Sequence, residues 1–130
     1  MLEFHHTGLL VKSIDISLKS YSVLFGASNI STIFDIDSQK VRVCFIQTGP
    51  SSYLELVEPI GESSSLAKLL KKGINYYHIG YKVDDLEVAV IKLENFNYKA
   101  LPPFKSEAFD GKLCVFLFSP DEYLIELIEK

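Results

Sequence analysis

Hydrophobic and polar positions along this chain mark short strands and two longer helical stretches. Phe4 to Val11 is an apolar strand in which His6, Gly8 and Leu10 share one face. Ser13 then caps a helix whose apolar positions Ile14, Leu18, Tyr21 and Leu24-Phe25 return at helical spacing, with Gly26 as its stop. Ile30 to Ile36, rich in β-branched residues, and Val41 to Gln47 are expected strands. After the turn residues Thr48-Gly49-Pro50-Ser51-Ser52, Tyr53 to Glu58 forms a fourth strand that Pro59 ends. Gly61 to Ser65 leads into a short helix, Leu66 to Lys72, stopped by Gly73.

The same order then returns. Tyr76 to Val83 is a strand, and Asp84 or Asp85 caps a helix with Leu86, Val90 and Leu93 on one face. Tyr98 to Leu101 is a short strand before Pro102-Pro103, and Lys112 to Phe118 and Tyr123 to Ile128 complete the set. Each half therefore reads βαβββ. The repetition extends to individual residues. His6-Thr7-Gly8 and His78-Ile79-Gly80 stand 72 residues apart, and Leu54-Glu55-Leu56 and Ile125-Glu126-Leu127 stand 71 apart. A fixed offset of this kind marks a duplicated unit.

Alternation along the strands sorts these residues by face. His6, Gly8 and Leu10 point one way, as do His78, Gly80 and Lys82. Glu55 lies opposite to Leu54 and Leu56, and Glu126 opposite to Ile125 and Leu127; those leucines and isoleucines are natural partners for the amphipathic helices. The expected fold is α+β, two tandem βαβββ modules forming a curved mixed β-sheet with a concave metal-binding face. Gly8 and Gly80 are expected to leave room there for a small molecule. The expected organisation is one domain over 1–130, with modules of about 3–60 and 75–130 joined by a helix at about 62–73.

Composition narrows the functional classes. A chain of 130 residues that is 48% hydrophobic and 23% charged can bury a core. A net charge of −4 with acidic residues spread throughout argues against nucleic acid as a partner. Arg42 is the only arginine, so bidentate clamping of anionic substrates is limited. The opening residues have no basic region followed by an apolar run, and no segment has the length of a membrane span, so a cytoplasmic, membrane-free protein is expected. Cys44 and Cys114 sit in apolar runs and are expected to be buried, reduced thiols.

Two imidazoles and two carboxylates make a mixed nitrogen–oxygen donor set suited to one divalent ion such as Zn, Co, Ni, Mn or Fe. The candidate ligands are His6, Glu55, His78 and Glu126. Without cysteine in the set, a closed structural zinc site is disfavoured. Four protein ligands leave two octahedral positions for two oxygens of one substrate, the arrangement that acidifies a carbon beside a carbonyl. A histidine or glutamate in a strand is more often structural, but four at matched offsets in otherwise diverged halves are hard to obtain by chance. His5 is turned by alternation to the other face, Glu58 and Glu129 to solvated strand ends, and Lys68, Lys71 and Lys72 to a solvated helix end.

Five segments together resemble the vicinal oxygen chelate superfamily, which includes glyoxalases, bleomycin resistance proteins and dioxygenases. They are His6 to Lys12, Leu54 to Ser64, Tyr77 to Asp85, Phe116 to Pro120 and Leu124 to Leu127. The Glu58-Pro59-Ile60-Gly61-Glu62-Ser63-Ser64 stretch is most similar to methylmalonyl-CoA epimerases. The resemblance implies one metal ligand from each of four strands, falling on His6, Glu55, His78 and Glu126, with Glu126 also acting as a proton-transfer base. It implies a small-molecule substrate, an acyl-CoA or another thioester or thiol adduct, and a homodimer. The implied activity is epimerase-like proton abstraction α to a metal-bound carbonyl. The alternatives are a glyoxalase I-type lyase and a non-catalytic small-molecule-binding protein. Two positions depart from the epimerase pattern: Val43 stands near where some members carry a second acid/base glutamate, and Ala108-Phe109-Asp110-Gly111 replaces a Gly-Ala-His-Gly loop.

Overall fold

Ser13 starts the first helix as its chemistry requires, its hydroxyl accepting the Ile16 N–H in a computed structural model that describes residues 1–130. The chain runs β1 (Glu3–Leu10), α1 (Ile14–Phe25), β2 (Phe34–Ile36), β3 (Val41–Gly49) and β4 (Ser52–Pro59). It continues through α2 (Ser65–Lys71) to β5 (Tyr76–Val83), α3 (Leu86–Glu94), β6 (Lys99–Ala100), β7 (Phe104–Ser106), β8 (Lys112–Phe118) and β9 (Leu124–Glu129). This is the mixed α+β class expected from the sequence, with one strand more in the second half than the βαβββ reading, because β6 and β7 stand where one strand was expected. No helix is long and apolar enough to cross a membrane. The chain divides into two compact units, Thr7–Tyr77 and a second made of Met1–His6 with His78–Lys130.

In the unit Thr7–Tyr77, β2, β3 and β4 form an antiparallel ladder in which Phe45 pairs with Glu55 and Val43 with Val57. One face carries Cys44, Ile46, Leu54 and Leu56, packed with Ile14, Leu18, Tyr21 and Phe25 of α1. The other face carries Val43, Glu55 and Val57. The expected strand over Ile30 to Ile36 is largely replaced: Ala27–Asn29 is a 3₁₀ turn, Ile30 makes one isolated bridge to Ile46, and only Phe34–Ile36 pairs. Ser31 explains the interruption. Its hydroxyl accepts the Phe45 N–H at 2.8 Å, so a side chain takes the place of a backbone rung.

Glu58 is also more than a solvated strand end. It accepts the Ile14 N–H at 2.8 Å, satisfying an orphan donor at the start of α1, and pairs with Arg42 across the strands at 3.3 Å. The single arginine is thus committed to Glu58, with Asp15 and Asp35 nearby at 3.9 and 3.8 Å.

In the other unit, β5 runs parallel to β9, β9 antiparallel to β8, and β8 antiparallel to both β6 and β7. Val115, Leu117, Ile125 and Leu127 pack with Leu86, Ala89, Val90 and Leu93 of α3. Asp85 caps this helix, accepting the Val88 N–H at 3.0 Å. The expected strand Tyr98 to Leu101 shrinks to two residues, because Pro102-Pro103 cannot supply ladder N–H groups. The chain resumes pairing as β7, and β7 is the true counterpart of β2. Both strands lead into a 3₁₀ turn, Asp37–Gln39 or Glu107–Phe109, followed by a left-handed residue, Lys40 at φ 53° or Asp110 at φ 55°. Cys44 and Cys114 are fully buried free thiols, and burial pushes the Cys44 thiol up.

Candidate metal centre

Three strands of the second unit bring His6, His78 and Glu126 together. β1 ends its part in this unit at His6, β5 supplies His78, and β9 supplies Glu126; exposures are 0%, 1% and 4%. His6 Nε2 lies 2.8 Å from His78 Nε2. Glu126 Oε1 lies 3.2 Å from the first and 3.5 Å from the second. Glu126 Oε1 is buried, and no donor reaches it in hydrogen-bond geometry. Three groups that can each offer an electron pair to a cation therefore face one another.

The spacing fits a bound divalent ion. Nitrogen and oxygen ligands at about 2.1 Å from an ion stand about 3.0 Å apart at a right angle and about 3.4 Å apart at a tetrahedral one. The observed edges of 2.8, 3.2 and 3.5 Å bracket that range. Burying a carboxylate and two imbricated imidazoles with no apolar alternative is costly unless something positive holds them together.

The surroundings fix these side chains. Gly80, two residues beyond His78, pairs with Glu126 in the β5–β9 register. A Cβ built on Gly80 would meet the His6 ring at 2.0 Å. The space over Gly80 is therefore filled by the His6 imidazole, and the expectation that this glycine leaves room for a small molecule is corrected. Phe116, opposite Glu126 on β8, meets the His78 ring edge-on at 5.2 Å, and Phe104 stacks on Phe116 at 5.4 Å. Phe109, from the 3₁₀ turn after β7, stacks on His6 with ring centroids 6.0 Å apart.

Burial alone would push the Glu126 carboxyl up, but the close imidazoles of His6 and His78 outweigh burial and bring it down to about 2. Glu126 is thus ionised at neutral pH. His5 was expected on the opposite face; its Nδ1 instead lies 2.9 Å from His6 Nδ1, and its ring meets Phe109 edge-on at 5.5 Å. Alternation fixes the direction of Cβ, and the imidazole extends past that constraint. Burial, reinforced by His6, lowers the His5 pKa to about 4. Sequence reasoning missed both His5 and Phe109; the doubled His5-His6 was the one available signal.

Glu55, the fourth candidate, belongs to the unit Thr7–Tyr77. It is 5% exposed on β4, opposite Phe45, which meets Tyr53 edge-on at 6.3 Å. Val43 is buried on the same face, so no carboxylate stands there. Lys68, Lys71 and Lys72 are exposed, as expected for a solvated helix end.

The Glyoxalase/Bleomycin resistance protein/Dioxygenase superfamily description matches residues 5–118. The chain belongs to this superfamily. Among curated members it is 28% identical over 120 residues to the ethylmalonyl-CoA/methylmalonyl-CoA epimerase of Cereibacter sphaeroides, covering 90% of this chain and 88% of that one. It is 26% identical over 119 residues to the mitochondrial methylmalonyl-CoA epimerase of Homo sapiens, covering 90% of this chain. The chain spans 66% of the length of that human relative. The fold matches the crystal structure of methylmalonyl-CoA epimerase from Mycobacterium tuberculosis with a TM-score of 0.83 at 24% identity, over 98% of this chain and 87% of that one. That epimerase therefore shares the fold described above.

Proposed function

We propose that this superfamily member is a metal-dependent isomerase or lyase, a single domain over residues 1–130 closest in chemistry to the methylmalonyl-CoA epimerases. Its ligands would be His6, Glu55, His78 and Glu126, and its substrate an acyl-CoA or related thioester. The observation that carries the reading is the buried triangle of His6 Nε2, His78 Nε2 and Glu126 Oε1 at 2.8, 3.2 and 3.5 Å. Glu55 supports it as the buried carboxylate at the position of the first half that corresponds to Glu126.

A divalent ion, when bound, supplies polarisation of a carbonyl and so acidifies the adjacent carbon. The side chains do the rest. His6 and His78 would hold the ion through Nε2. Glu126, as a carboxylate, would take the proton from the carbon beside the carbonyl. Phe104, Phe109 and Phe116 limit water around these groups.

Buried Val43 favours a second reading. Inverting one carbon needs proton donors and acceptors on both faces, whereas moving a proton between adjacent carbons needs one base on one face. A site with Glu126 as its one base and Glu55 kept as a ligand fits glyoxalase-type isomerisation of a thiol hemiacetal. Against glutathione as that thiol stands Arg42, which is held by Glu58.

Elemental analysis of purified protein, with His78→Ala as control, tests the centre: about one divalent ion per chain is expected, lost in the variant. No ion in the wild type, or equal ion in both, overturns it. Deuterium exchange at the α-carbon of methylmalonyl-CoA, run beside isomerisation of a glutathione hemithioacetal, then separates the two reactions.

A further inference from the structure

His5 has no place in the four-residue ligand set, yet its ring is built into the centre. Its Nδ1 lies 2.9 Å from His6 Nδ1. His6 can offer Nε2 to an ion only as the neutral imidazole that carries its proton on Nδ1. That N–H then points at His5. Two facing imidazole nitrogens at this distance share one proton, so His5 Nδ1 is the acceptor and its own proton sits on Nε2. The geometry is held from other sides as well. Phe109 meets the His5 ring edge-on and stacks on His6, and Gly80 supports the His6 ring so closely that no Cβ fits. The arrangement belongs to the first half alone, because Tyr77 precedes His78 where His5 precedes His6.

We propose that His5 is a positioning residue that accepts the His6 Nδ1–H hydrogen bond and so directs the His6 Nε2 lone pair to the divalent ion. This rests on the ligand set proposed above.

The test is metal affinity, measured for Zn²⁺ or Co²⁺ by competition with a chromophoric chelator on the full chain. His5→Phe keeps the ring and its contact with Phe109 but removes the acceptor; it is expected to weaken binding about 10- to 100-fold. His5→Asn places an amide oxygen near the position of Nδ1 and is expected to bind within about threefold of wild type. Far-UV circular dichroism and urea melts confirm folding, and His5→Leu makes the same comparison should Phe disturb it. Wild-type affinity in His5→Phe overturns the proposal, as does equal weakening in His5→Asn. A wild type that binds no ion overturns the ligand set itself, which distinguishes the two failures.

Discussion

Gly80 is the sharpest place to perturb the centre. Its φ is not in the left-handed region, so alanine fits the backbone, and elsewhere in a strand the exchange would stabilise by about 0.5–1 kcal/mol. Here the new Cβ would stand 2.0 Å from Cε1, 2.4 Å from Nδ1 and 2.5 Å from Nε2 of His6. Ordinary contact begins near 3.4 Å, so the ring must retreat by about 1.4 Å. A ligand constellation tolerates displacements of about 0.5 Å. Gly80→Ala should therefore cost about 1–3 kcal/mol through overpacking and weaken metal binding about 100-fold, with the fold retained. Removing the ring removes the cause. In a His6→Ala background the same exchange should be neutral or mildly stabilising, a coupling of about 2 kcal/mol or more in a double-mutant cycle. Urea melts of the four proteins without metal give the stability arm, and chelator competition gives the affinity arm. Wild-type metal affinity in Gly80→Ala, or an equal stability cost in both backgrounds, would refute the reasoning.

Two further outcomes follow from residues away from the centre. Glu58→Ala strips α1 of an acceptor and Arg42 of its partner and should lower stability by about 1.5–3 kcal/mol in urea melts, with Glu58→Gln recovering part and metal affinity unchanged in both. Cys44 and Cys114 are fully buried, so a thiol-reactive dye should find none in the native protein and two after denaturation; fast native labelling would contradict the packing.

The elements with long periodic signals were legible in the sequence. β5 and β8 have the expected bounds, and Ser13 and Asp85 cap the helices as their positions implied. Face assignment by alternation also held, because Leu54, Leu56, Ile125 and Leu127 all pack on the helical side. What was not legible depended on side chains replacing backbone or reaching past it. Ser31 takes a rung of the ladder, so a β-branched run became mostly irregular. The pairing of β7 lay beyond a double proline that hid its likeness to β2. His5 defeated alternation because its ring turns back to His6. Gly80 carried the right signal and the wrong occupant: a small residue beside a histidine does mark a close approach, and what approaches is the chain's own imidazole.

The duplication itself limits the chemistry. Both halves place a histidine on the first strand and a glutamate on the last, and Phe109 and Phe116 of the second half stand against His6 and His78, with Phe104 stacked on Phe116. Val43 and Val57 flank the level of Glu55 on their sheet face, and both are buried and apolar. In the proposed reaction, a proton taken up by Glu126 would be returned by Glu126, to the carbon it left or to its neighbour. With Glu126 as the one base, an acyl-CoA would show α-proton exchange faster than inversion, and a hemithioacetal would be isomerised. The ratio of exchange to inversion thus reads the number of bases directly. A ratio near one would require a second proton carrier, and Glu55 is the other carboxylate of the proposed set.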